Sequence, residues 1–138
     1  MSKSDTYGVC LFVSSSDLTL DTISKATGLK PDEYQEKGKP KQFLANKSYL
    51  KNVWIYDSRY HIDEKASIDA HLDHISTVID ELTPNAKSFL KNVDIVIGLR
   101  GYVYSCNPGC SITKKVLKSI MQLDAEIDID FFAVGPEG

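Results

Sequence analysis

The sequence predicts an α+β domain. Its expected core is a four-stranded, mostly antiparallel sheet with helices on one face, a ferredoxin-like layout with an inserted helix. A small open α/β sheet is the alternative. Three observations lead there. Strand-like runs rich in β-branched and aromatic residues alternate with segments of helical period. The strand–helix unit occurs twice: "LTLDTISKATGL" from Leu18 and "ITKKVLKSIMQL" from Ile112 superpose without gaps, and Val9 and Val103 precede them at equal separation. The chain has 138 residues, 42% hydrophobic and 25% charged, which suits one domain over residues 1–138. A chain of this length buries roughly two-thirds of its unfolded surface and needs no metal or disulfide staple.

The elements follow in order. "TYGVCLFVS" is apolar on both faces, with Tyr7, Val9, Leu11 and Val13 on one and Gly8, Cys10 and Phe12 on the other. That is the mark of an interior strand. Thr19 is suited to cap the first helix, with Leu18 and Ile23 as a hydrophobic staple. Gly28 fits the left-handed position after it, and Pro31 blocks continuation. Residues 30–52 have no clear period and read as a long connection, with a short irregular strand near Phe43. A loop of that length is often functional.

"VWIYDSRYH" is the next strand, with Trp54 in the core and its ring nitrogen on a partner. Ile68, Leu72, Ile75, Ile79 and Leu82 form one apolar stripe of a helix. Thr83 then caps a shorter helix with Pro84 at its first position. "VDIVIGLRGYVYSC" reads as one long strand, or as two around Arg100-Gly101. Thr113 caps the last helix, and Val116, Ile120 and Leu123 continue its buried face. "AEIDIDFFAVG" alternates Ile127, Ile129 and Phe131 inward with Glu126, Asp128 and Asp130 outward.

The formal net charge is −3, which disfavours a general nucleic-acid binder. It suits a basic protein partner. No apolar run reaches membrane-spanning length, and "MSKSDTYGVC" opens without a signal region, so the expected setting is cytoplasmic. Three cysteines do not make a secreted disulfide framework.

"TGLKPDEYQEKGKP", with Trp54 downstream, the opening strand before "SSSDLTLDTI" and the ending "AEIDIDFFAV", resembles a bacterial family known as domain of unknown function 4279. The resemblance covers nearly the whole chain. It implies a small bacterial protein without an assigned activity, and some members sit beside toxin genes as candidate immunity proteins. It carries over no catalytic residue. It marks Gly28, Pro31, Gly38 and Trp54 as family positions, and their chemistry reads as cap, stop, turn and core.

Several constellations hold residue types capable of chemistry. Cys106 and Cys110, in "SCNPGCSITKK", are spaced one residue wider than a redox Cys-x-x-Cys, and the helix is capped after both. They read as a turn and small buried residues. A disulfide between them stays open, but neither it nor a metal is expected to be required. His71 and His74 lie one turn apart on a helix without the Glu of a zinc-protease motif. Glu126 and Asp130 stand about 13 Å apart along a strand, too far to share one ion. "EKGKPK" is not a phosphate loop, and "SSSD" lacks a nucleophile elbow. No catalytic residue and no cofactor is therefore expected.

Arg100 beside Tyr102 and Tyr104 is suited to gripping a carboxylate or a protein surface. Against that stands a plain exposed face with Arg100 paired to Asp94 or to an acid of the last strand. Asp128 and Asp130 would share the open sheet face with Arg100. These five residues are the candidate contact with a protein partner. The leading expectation is a protein-binding domain, an immunity-type inhibitor that occludes a toxin. The alternatives are a small-ligand or sensor domain using residues 30–52 as a lid, and a homodimeric structural domain.

Overall fold

Each α-helix begins where a hydroxyl side chain takes over an orphan amide. Thr19, Ser67, Thr83 and Thr113 each accept a hydrogen bond from the amide three residues on. Such a cap is worth about 1 kcal/mol. They open α1 (Leu20–Thr27), α2 (Ile68–Glu81), α3 (Pro84–Leu90) and α4 (Lys114–Met121). Gly28 closes α1 in the left-handed region at φ 73°, which a side chain at that position would resist. The computed structural model describes residues 4–41, 44–104 and 110–134.

The strands are β1 (Thr6–Ser15), β2 (Glu33–Gln35), β3 (Pro40–Lys41), β4 (Leu44–Ser48), β5 (Asn52–Asp57), β6 (Asp94–Val103) and β7 (Glu126–Ala133). Five of them form a mixed sheet in the order β2-β5-β1-β6-β7, and β3 and β4 make a separate two-stranded ribbon. This corrects the expected four-stranded, mostly antiparallel, ferredoxin-like sheet. The architecture is closer to the small open α/β alternative.

The reason lies in residues 30–52, expected to be mostly loop. They form β2 and the β3–β4 ribbon, so that the chain re-enters the sheet running against β1. Cys10 pairs with Asp57 and Ser15 with Asn52 in an antiparallel ladder. The second half behaves differently: β6, α4 and β7 form a crossover, and β6 and β7 are parallel. The internal echo is thus a local strand–helix likeness and not a repeated topology. Phe43 lies outside the described residues.

The apolar alternation builds the core. Val9, Leu11 and Val13 of β1, Trp54 and Tyr56 of β5, and Ile95, Ile97 and Leu99 of β6 form one cluster with Ile23, Leu72, Ile75, Ile79, Leu90, Val116 and Ile120 from the helices. Trp54 is fully buried, and its ring N–H donates to Ser24 Oγ at 3.0 Å. Between α2 and α4, Ser76 and Ser119 share a 2.6 Å hydrogen bond. Ser119 also donates to Asp80 at 2.8 Å. These polar atoms are therefore satisfied within the helix layer. No helix among the described residues is long and apolar enough to cross a membrane.

Candidate binding face

The strand residues of opposite parity point away from the helices. By the sheet register, β1 supplies Gly8, Cys10 and Phe12, β5 supplies Ile55 and Asp57, β6 supplies Gly98, Arg100 and Tyr102, and β7 supplies Glu126, Asp128, Asp130 and Phe132. Only a single layer of side chains covers much of this face.

Two glycines set the depth of that layer. A Cβ on Gly8 would lie 2.7 Å from Cγ and Cδ of Arg59. The Arg59 stem therefore rests directly on the strand backbone. A Cβ on Gly98 would lie 2.7 Å from the Phe12 ring. Phe12 is thus laid flat over β6, and the Arg100 guanidinium sits 4.8 Å from its centroid. That is a favourable cation–π distance.

Asp57 is the buried anchor of the face. Its carboxylate takes bonds from Arg59 Nε at 3.0–3.1 Å, from Nη2 and from the Arg59 amide. Burial pushes the Asp57 carboxyl up, but the Arg59 hydrogen bonds and charge overcome this and hold it below the ordinary carboxylate range. Cys10 lies beneath the pair. Burial, then the charge of Asp57, pushes its thiol up to about 12, so it is a packed and inert group.

Arg100 has no such anchor. Its side chain enters no ion pair among the described residues. Asp94, one partner expected for it, pairs instead with Lys51 at 3.6 Å. Asp130 is its register neighbour on β7. Beside Arg100, the rings of Tyr102 and Phe132 stack at 5.5 Å, and each is about half exposed. A cleft of about 90 Å³ opens between Arg59, Arg100, Tyr102 and Phe132, floored by Thr6, Gly8 and Gly101.

The family model named Domain of unknown function (DUF4279) matches residues 5–133, nearly the whole of this fold. The chain belongs to that family. Neither curated proteins nor solved structures contain a match.

In this DUF4279 member, Arg100, Tyr102, Asp128 and Asp130 lie on the helix-free face. Tyr104 does not join the strand: it lies just past β6, with its amide bonded to Asp5 at 2.7 Å. Phe12, Asp57, Arg59 and Phe132 were missed. Parity alone placed Phe132 beside Asp130, but its pairing with Tyr102 depends on strand order. Arg59 arrives through the 3-10 turn of Ser58–Tyr60, which has no sequence period to read. Cys106 lies outside the described residues, and Cys110 is exposed.

The three histidines gather around the same C-terminal end of β5, by Tyr56 and Ser58. The His71 ring is fully buried. Ser58 Oγ accepts from the Val9 amide at 2.8 Å and shares a 2.6 Å hydrogen bond with His71 Nδ1. His71 Nε2 is buried and makes no hydrogen bond within 3.5 Å among the described residues. Burial lowers the His71 pKa, with the Asp63 carbonyl acting in the opposite direction. His74 Nε2 meets Tyr56 Oη at 2.9 Å, and His61 bonds Asp32 at 3.0 Å while stacking 4.3 Å from the Tyr56 ring. Burial, then Asp32 and Glu81, pushes Tyr56 up to about 12. Among the described residues no group of three or more His, Cys, Asp or Glu side chains is placed to hold a metal ion. The cluster ties β2, β5 and α2 together. Its Ser58–His71 pair is sealed from substrate, so no nucleophile is presented to solvent there.

Proposed function

We propose that this chain is a binding domain that holds a protein partner on the helix-free face of its sheet. The observation that carries the reading is Arg100, a guanidinium without an ion pair among the described residues, propped on Phe12 beside the half-exposed Tyr102–Phe132 stack. Arginine and tyrosine, rigidly supported and ringed by polar groups, are the residues that dominate protein interfaces. The propping removes much of the side-chain entropy that Arg100 would otherwise lose on binding.

A partner differs from a second copy of the chain in its charge. β7 has a free edge, and Glu126, Asp128 and Asp130 share one of its faces. Antiparallel pairing of two β7 edges in one continuous sheet aligns residues of like parity. Registers that set the two acidic segments opposite one another bring carboxylate near carboxylate, which destabilises them. A partner with basic groups opposite β7 meets no such repulsion. A reducing, cytoplasmic setting suits this reading, since Cys10 is a free thiol inside the fold. Occlusion of a toxin, the role implied for some members by the family resemblance, is one form such binding would take.

A small ligand held along residues 30–52 is the second reading, and grooves in that part of the surface favour it. The grooves there, along Tyr34, Glu36, Lys39 and Tyr49 or along Thr19, Glu36 and Asn52, are open to solvent and measure about 390 and 380 Å³.

The test is affinity capture from the source organism with cross-linking. Wild type and a control Lys25→Glu variant on exposed α1 should recover the same specific partner, cross-linked near β6 and β7. Arg100→Glu should lose it. Equal recovery by Arg100→Glu, or cross-links confined to the helix layer, would overturn the reading.

A further inference from the structure

We propose that the cleft between Arg59 and Arg100 is a binding site for a single carboxylate group, with Tyr102 and Phe132 receiving the carbon skeleton attached to it. This deepens the protein-binding reading and rests on it only for the source of the carboxylate: a free acid, or a carboxylate on a partner chain.

The site is built before any ligand arrives. Asp57 holds Arg59 through Nε and Nη2, and Gly8 lets its stem lie on β1. Arg59 Nη1 makes no hydrogen bond among the described residues, and Arg59 lines the cleft. Phe12 supports Arg100 from below. Gly101 is required as well: a Cβ there would fall 2.8 Å from the Tyr7 ring and 2.9 Å from the Thr6 carbonyl oxygen. Two guanidiniums with fixed stems converge on one small volume, which suits bidentate recognition of a planar anion.

Size and charge choose the anion. The cleft of about 90 Å³ has room for about three waters, hence for a carboxylate and one or two carbons. Asp57 takes the charge of Arg59, Arg100 enters no ion pair among the described residues, and its register neighbour Asp130 lowers the positive charge further, so a singly charged anion is favoured over a doubly charged one. A dianionic phosphate would be larger and would face that carboxylate. The Tyr102–Phe132 stack at the rim adds an apolar wall, so an acid with an attached ring or alkyl chain should bind better than acetate.

The probes are acetate, benzoate, N-acetylphenylalanine and its uncharged amide. Each is titrated into the whole chain while the backbone amides of Gly8 and Gly101 and the Nε–H signals of Arg59 and Arg100 are followed by NMR. Saturable shifts at these groups are expected with the carboxylates, strongest for the two aromatic acids, and none with the amide. Arg100→Gln should weaken benzoate binding by about tenfold or more. Stronger binding of N-acetylphenylalanine points to a chain terminus as the natural source, and stronger binding of benzoate to a free acid. Shifts that scatter over the surface, fail to saturate, or occur equally with the amide would overturn the site. Those wild-type comparisons decide the matter even if Arg100→Gln does not fold. Carboxylate binding without any captured partner would keep the site and overturn only the protein-binding reading; a captured partner without carboxylate binding would do the reverse.

Discussion

Arg59→Met removes a guanidinium while keeping an unbranched stem over Gly8. In the wild type the Asp57 side chain is fully buried and that of Arg59 is 36% exposed. Removing one partner of a fully buried pair destabilises by about 3–5 kcal/mol. Two features reduce that here. The guanidinium is partly solvated, and the Arg59 amide still donates to Asp57 Oδ1 at 2.9 Å. The expected loss is therefore about 2–3 kcal/mol. For a domain of this size it lowers Tm by about 6–12 °C. Urea unfolding followed by Trp54 fluorescence measures it, since Trp54 is the sole tryptophan.

The dependence on pH gives a second signature. In the wild type the Asp57 pKa is depressed, so its contribution is complete above the ordinary carboxylate pKa and is lost as pH falls through the lower folded value. In Arg59→Met the burial effect is left largely unopposed and the Asp57 pKa rises. The variant then gains relative stability on acidification, and the gap to wild type narrows between about pH 7 and about pH 5. Adding Asp57→Asn should recover part of the loss at pH 7. A loss below about 0.5 kcal/mol, or a gap independent of pH, would refute this view of the pair.

Two further outcomes are expected. Ser58→Ala leaves the Val9 amide and His71 Nδ1 unpartnered in the core, which should destabilise by about 2–4 kcal/mol in calorimetry, with Ser58→Thr tolerated no better because the site is closed. In the native chain Cys10 should resist thiol reagents at pH 8 while Cys110 reacts; rapid native labelling of Cys10, located by peptide mapping, would contradict its burial.

The helices were legible because their signals are local. Thr19, Thr83 and Thr113 act as caps where expected, and Ser67 does the same although its cue, a serine before an apolar stripe, was not used. Strand order was not legible. β2 and the β3–β4 ribbon are short, half-exposed and without clean alternation, so nothing local announces the reversal of direction they impose. The binding face was half legible for the same reason. Parity along one strand grouped Arg100 with Tyr102, and Asp128 with Asp130. Arg59 against Gly8, Phe12 against Gly98 and His61 against Asp32 are meetings across the sheet, which depend on register and not on spacing.

The central place of β1 has a consequence for how the chain is made. Val13 pairs with Trp54, 41 positions later, and with Ile95, 82 positions later. A ribosome adding about 5–20 residues per second leaves the "VCLFV" segment without its second neighbour for several seconds after it emerges. Both faces of that segment are apolar, so the nascent chain exposes an adhesive strand until β6 is synthesised. Folding should accordingly be slow for so small a domain, and chaperone demand should be set by this interval.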